Sequence, residues 1–154
     1  MTQSVLFICL GNICRSPLAE AALREECKQK SIAMVIDSAG TSDWHTDQAP
    51  DDRAQAVAAK NGVDIGHLRG RLVSTNDFRD FDHIIALDTQ NLKDLKDMQP
   101  ADRTAQLSML TDYMEGRRGE DIADPYYGKE DGFEVTWAEV TEAAQTIVEM
   151  LTEA

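Results

Sequence analysis

VLFICLGNICRSPLA, residues 5–19, joins a strand, a tight loop and a helix start. The apolar, partly β-branched run Val5-Leu6-Phe7-Ile8 reads as a buried strand. It ends at Cys9, turns through Gly11 and Asn12, and meets Arg15, Ser16 and Pro17, with Ser16 as N-cap and Pro17 at the first helical position. A thiol and a guanidinium therefore share one loop between a strand end and a helix N-terminus. Backbone N–H groups at such a place converge on anions, phosphate above all. A cysteine there loses its proton readily, because the same dipoles stabilise the thiolate. The bare Cys-x5-Arg spacing is a weak signal, and a buried Cys9 beside a surface Arg15 would satisfy it. The strand before and the capped helix after it make the pattern specific.

Alternation continues along the chain. Ser4 to Cys9 reads as the first strand. Pro17 to about Lys30 reads as a helix with Leu18, Ala22, Leu23 and Cys27 on its inner face. Met34 to Asp37 is a second strand closed by Ser38-Ala39-Gly40, and Pro50 to Lys60 a helix with Asp51 and Asp52 in its first turn and Gly62 past its end. Asp82 to Leu87 is a third strand. Thr89 to Met98 is a short helix stopped by Pro100, and Gln106 to Leu110 a fourth strand. The polar stretch from Thr111 to Gly132 is a loop long enough to carry function. Phe133 to Leu151 is an amphipathic helix with Phe133, Trp137, Val140, Ala144, Ile147 and Leu151 on one side. This order implies a parallel sheet covered on both faces, with ligands bound at the strands' C-terminal ends, where Cys9 sits.

Composition narrows the function. A chain of 154 residues with 42% apolar content is expected to fold as one domain, residues 1–154. No stretch is long enough to span a membrane, and the N-terminal apolar run lacks the basic lead of a signal peptide. Three cysteines without a framework spacing suit a reducing, cytoplasmic setting. A formal charge of −13 argues against nucleic acid and anionic membrane as partners. His45, His67 and His83 match no zinc spacing, so neither a metal nor another cofactor is expected.

Hydrolysis of a phosphate ester without metal needs a nucleophile, a charge clamp and an acid for the leaving oxygen. Cys9 offers the thiolate. Arg15 offers a planar fork matched to two phosphoryl oxygens, which lysine lacks. The N–H groups of Leu10, Gly11, Asn12, Ile13, Cys14 and Arg15 would line the cradle, a large part of the catalyst in phosphoryl transfer. For the acid, Asp124-Pro125-Tyr126-Tyr127 stands out: two rings beside a carboxyl desolvate it and flank an aryl substrate. The same four residues also fit an ordinary turn, with Asp first and Pro next.

Cys9-Leu10-Gly11-Asn12-Ile13-Cys14-Arg15-Ser16-Pro17, followed by Asp124-Pro125-Tyr126-Tyr127, resembles the low-molecular-weight protein tyrosine phosphatases over essentially the whole chain. The resemblance implies a flavodoxin-like, three-layer α/β fold with a four-stranded parallel sheet and a phosphate-binding loop after the first strand. It implies phosphotyrosine hydrolysis through a phosphocysteine, with Cys9 as nucleophile, Arg15 as phosphate ligand and Asp124 as general acid. Asn12, Ser16, Ser38 and His67 match a supporting network around the thiolate, although a cap, a strand-end turn and a surface histidine account for the last three on residue type alone. Trp44, Tyr126 and Tyr127 match the walls of an aryl cleft and resemble the eukaryotic-type branch more than the capsule-associated bacterial one. The two tyrosines are also implied targets of a tyrosine kinase, and Cys14 an implied disulfide partner for oxidised Cys9; as a residue, Cys14 equally reads as small apolar packing beneath the loop. Arsenate reduction, a chemistry of the same fold, calls for further cysteines after the third strand, and Ala86 to Asn91 holds none. A phosphotyrosine-binding module without catalysis would need neither thiol nor acid.

Overall fold

The computed structural model describes residues 2–128 and 131–152. Four strands, β1 (Gln3–Cys9), β2 (Met34–Gly40), β3 (His83–Ala86) and β4 (Gln106–Met109), form one sheet in the order β2-β1-β3-β4, every pair parallel. Five helices connect and cover them: α1 (Arg15–Gln29), α2 (Asp52–Lys60), α3 (Asp77–Asp80), α4 (Thr89–Met98) and α5 (Asp131–Thr152). The flavodoxin-like expectation holds. Strand pleating sorts the core: Val5, Phe7 and Cys9 join the cluster under α1, α2 and α5. Leu6 and Ile8 join Ile84, Ala86, Phe78 and Leu95 under α3 and α4. β1 is thus buried on both faces, which is why its sequence is an unbroken apolar run rather than an alternating one. Among the described residues no helix is long and apolar enough to cross a membrane.

The chain turns to opposite sides of β1 to reach β2 and β3. The crevice beyond the C-terminal ends of β1 and β3 is where such sheets bind ligands. Cys9 ends β1, and Asp88 follows β3 by two residues.

Several boundaries differ from expectation. Ser38-Ala39-Gly40 does not turn; it continues β2, pairing Phe7 with Ser38, Ile8 with Ala39 and Cys9 with Gly40. Helix α1 starts at Arg15, and its N-cap is Cys14, without a side-chain cap bond. Ser16 is therefore no cap, because its hydroxyl is taken up by Cys9 and Asn12. Nearly all of the first half of α1 is buried, not one face alone, since it is held between the sheet and α5. The segment after β4 is more ordered than a plain loop, with 3-10 turns at Leu110–Tyr113 and Pro125–Tyr127. The short α3 had no sequence signal of its own length.

Candidate active site

The loop from Leu10 to Cys14 curls because its carbonyls are drawn outward. Thr41 N–H donates to the Cys9 carbonyl (3.0 Å) and Ser42 N–H to that of Leu10 (3.0 Å). Asp51 N–H donates to the Ile13 carbonyl (2.8 Å). Gly40 permits the approach of β2: a Cβ there would stand 2.8 Å from the Leu10 carbonyl oxygen. With the carbonyls outside, the N–H groups of Gly11 through Arg15 have no acceptor among the described residues. Five buried or half-buried donors on one curve form a nest for an anion.

Asn12 holds the bend. Its backbone is left-handed (φ 57°), a conformation that asparagine tolerates better than most residues. Its amide nitrogen donates to Ser16 Oγ (2.8 Å) and Ser38 Oγ (2.9 Å), and its carbonyl oxygen accepts from Arg71 N–H (3.1 Å). Arg71 is itself gripped by Asp77 (3.0 Å) and Asp37 (3.1 Å). Ser38 Oγ donates to the buried Glu20 carboxylate (2.7 Å), which Arg24 pairs at 2.9 Å. The chain of contacts ends on sulfur: Ser16 Oγ lies 3.0 Å from Cys9 Sγ, and Ser16 N–H points at the same atom at 3.4 Å. Hydroxyl and amide of Ser16 thus meet at one sulfur.

Arg15 is 3% exposed, and its charge is balanced on site. One guanidinium nitrogen donates to Asp88 (2.7 Å) and to the Ile122 carbonyl (2.9 Å). Burial opposes the charge, yet Cys9, Asp88 and Asp124 outweigh it and hold the guanidinium above its ordinary range. Its Nε–Nη2 edge has no hydrogen-bond acceptor among the described residues; Asp124 Oδ2 stands 3.6 Å from Nη2. Asp88 also caps α4 by accepting from Asn91 N–H (2.7 Å), so one carboxylate fixes both a helix start and the guanidinium.

Asp124 arrives from the far side of the sheet end. Its segment is tied down by Ile122 N–H to the Leu87 carbonyl (2.9 Å) and by Thr89 N–H to Asp121 (2.7 Å). Cys9, Leu10, Gly11, Ile13, Cys14, Arg15, Trp44, His45, Asp124, Tyr126 and Tyr127 together line a cavity of about 200 Å³. Trp44 (66% exposed) and Tyr127 (79%) form its rim, with Tyr126 and Tyr127 edge to face at 5.0 Å. The arrangement presents a thiol, a cationic edge, backbone amides, a carboxyl and aromatic rings to one cavity.

The family model described as low molecular weight phosphotyrosine protein phosphatase matches residues 4–154. The chain belongs to this family. A Schizosaccharomyces pombe low molecular weight phosphotyrosine protein phosphatase is 38% identical over 150 residues, 96% of each chain. A low molecular weight protein-tyrosine-phosphatase of Bacillus subtilis is 41% identical over 126 residues, 80% of this chain and 81% of that one, so the similarity reaches bacterial as well as eukaryotic members. The crystal structure of a drosophila arginine phosphatase superposes with a TM-score of 0.91 at 31% identity, covering 97% of this chain and 98% of that one.

Within this phosphatase fold, Cys9, Arg15, Asp124, Trp44, Tyr126 and Tyr127 come together at one cavity, and Asn12, Ser16 and Ser38 form one network. His67 does not join it. The residue is exposed, beside a separate surface pocket near Val63 and Leu68, and Glu20 with Arg24 occupies the place beyond Ser38. Asp88, Glu20, Arg71 and His45 escaped sequence reasoning. Glu20 did carry a signal: Ser16, Glu20 and Arg24 stand four residues apart on one stripe of α1. Asp88 carried another, as a helix-capping residue just past a strand on the same sheet edge as Cys9.

Proposed function

We propose that the chain hydrolyses phosphotyrosine in proteins, through a covalent phosphocysteine on Cys9. The observation that carries this reading is the meeting of Cys9, the open edge of Arg15 and the acceptorless N–H groups of Gly11, Ile13, Cys14 and Arg15 at one cavity whose rim is aromatic. The thiolate attacks phosphorus and forms the S–P bond as the P–O(aryl) bond breaks. Asp124 gives its proton to the departing phenolate oxygen. Water then attacks the phosphocysteine, Asp124 takes back a proton, the S–P bond breaks and inorganic phosphate leaves. Arg15 and the nest neutralise the three equatorial oxygens throughout. Trp44, Tyr126 and Tyr127 hold a flat ring and give a short serine side chain nothing to stack on.

Phosphoarginine is the second reading, supported by the superposition on an arginine phosphatase. Matched peptides carrying phosphotyrosine, phosphoserine or phosphoarginine separate the two. We expect kcat/KM on the phosphotyrosine peptide to exceed the others by at least about tenfold, with chelator present. Faster turnover of the phosphoarginine peptide would hand the function to that substrate, and equal turnover of phosphoserine would remove the aryl cleft.

The same thiolate is a target for peroxide, and Cys14, five residues away on the curled loop, is the proposed partner for a reducible disulfide. Burial first, then Asp51, pushes the Cys14 thiol well above the ordinary range, so Cys14 waits as a protonated thiol rather than competing as a nucleophile. After peroxide treatment, thiol reductant should restore most activity to the native chain and much less to Cys14→Ser. Equal recovery would leave Cys14 a packing residue.

A further inference from the structure

Arg53, in the first turn of α2, is exposed to no reacting atom, yet its half-buried guanidinium joins three elements. It forks the Asp51 carboxylate through Nε (3.0 Å) and Nη2 (3.1 Å). It reaches across to the segment after Asp124, donating to the Tyr126 carbonyl (3.1 Å) and the Gly128 carbonyl (3.4 Å). Its Cζ also lies 4.7 Å from the Phe133 ring centre and 5.7 Å from that of Tyr126, between the start of α5 and the cavity wall.

Tyr126 links this grip to the acid. The peptide unit after Tyr126 gives its carbonyl to Arg53, while Tyr126 N–H donates to Asp124 Oδ1 (3.0 Å). That bond engages one carboxyl oxygen and leaves Oδ2, the one 3.6 Å from Arg15, as the proton carrier. Upstream of Asp124 the segment is pinned through Ile122 to Leu87, just past β3, and through Asp121 to Thr89 at the start of α4. Downstream, among the described residues, the polar ties from residues 126–128 to another element all run to Arg53. We propose that Arg53 is the positioning residue for the acid, locking residues 124–128 onto α2 so that Asp124 keeps Oδ2 turned toward the leaving oxygen. This rests on the assignment of Asp124 as acid. A lysine keeps the positive charge beside Asp51 but cannot fork the carboxylate and bridge two carbonyls at once.

The experiment compares native enzyme, Arg53→Lys, Arg53→Ala, Asp124→Asn and Arg53→Lys/Asp124→Asn. It reads kcat/KM on a phosphotyrosine peptide and on p-nitrophenyl phosphate, inhibition by inorganic phosphate, and melting temperature. The poorer leaving group needs the proton more, so a displaced acid shows as a loss on phosphotyrosine. Arg53→Lys should lose about tenfold on phosphotyrosine and about twofold or less on p-nitrophenyl phosphate, with Arg53→Ala losing more. Phosphate inhibition should stay within about twofold in Arg53→Lys, because the nest and Arg15 are untouched. In the Asp124→Asn background, Arg53→Lys should add no further loss. Equal losses on both substrates, weakened phosphate inhibition, or a further loss on top of Asp124→Asn would overturn the role. Full phosphotyrosine turnover by Asp124→Asn would instead sink the acid assignment and the proposal with it, an outcome distinct from the others because it shows in the single Asp124 variant.

Discussion

Glu20 is a carboxyl with 1% exposure whose hydrogen-bond chain ends on the Cys9 sulfur. Burial pushes it above the ordinary glutamate range, against the pull of Ser38 and Arg24. The folded chain therefore holds this proton more tightly than the unfolded chain does. Its contribution is fully present below the unfolded glutamate value of about 4.3 and is lost as pH rises through the folded value. Glu20→Gln removes that titration and keeps an acceptor for Ser38. In urea denaturation, the stability of the native chain relative to Glu20→Gln should fall as pH rises above about 4. A relative stability that rises instead would mean that Arg24 and Ser38 outweigh burial. Arg15 shows the opposite balance at the same scale, since three neighbours of negative or incipient negative charge exceed the cost of burying it.

At the scale of elements, legibility followed the strength of the local signal. α4 matches its expected bounds to the residue, and Pro100, which stops it, is explicit in the sequence. β2 is longer than its sequence suggests. Ser38 and Gly40 look like turn residues, but seven residues pair with β1, and the small side chains serve the phosphate loop rather than a bend. Ser16 resembles a cap for the same reason: a hydroxyl at a helix start has two uses, and only the position of Cys9 in space decides between them. The loop, Arg15 and Asp124 could be found from one sequence because motif residues are contiguous. The roles of Asp88, Glu20 and Arg71 are not legible in this way, even where a local pattern marks the residue, because their partners stand 73, 18 and 59 residues away. His67 was misplaced by resemblance alone, and nothing in its own neighbourhood had pointed inward.

Across the whole molecule, a chain of charge −13 must draw a dianionic phosphate ester to its surface. The fold does so locally. It places a helix start, five acceptorless N–H groups and a buried guanidinium at the crevice where a parallel sheet changes direction, and it spends Asp88 on orienting Arg15 rather than on opposing the substrate. The carboxyl that completes the cavity comes from the later part of the chain, carried between tethers to Leu87, just past β3, and to α2. The central claim is that phosphorus passes through the sulfur of Cys9. Its most direct test is rapid mixing with p-nitrophenyl phosphate, acid quench within the first turnover, and peptide mapping by mass spectrometry. The account predicts phosphate on the peptide holding Cys9, attached at that residue, absent from Cys9→Ser and lost as inorganic phosphate appears. Phosphate on any other residue, or turnover by Cys9→Ser at a rate near the native enzyme's, would contradict it.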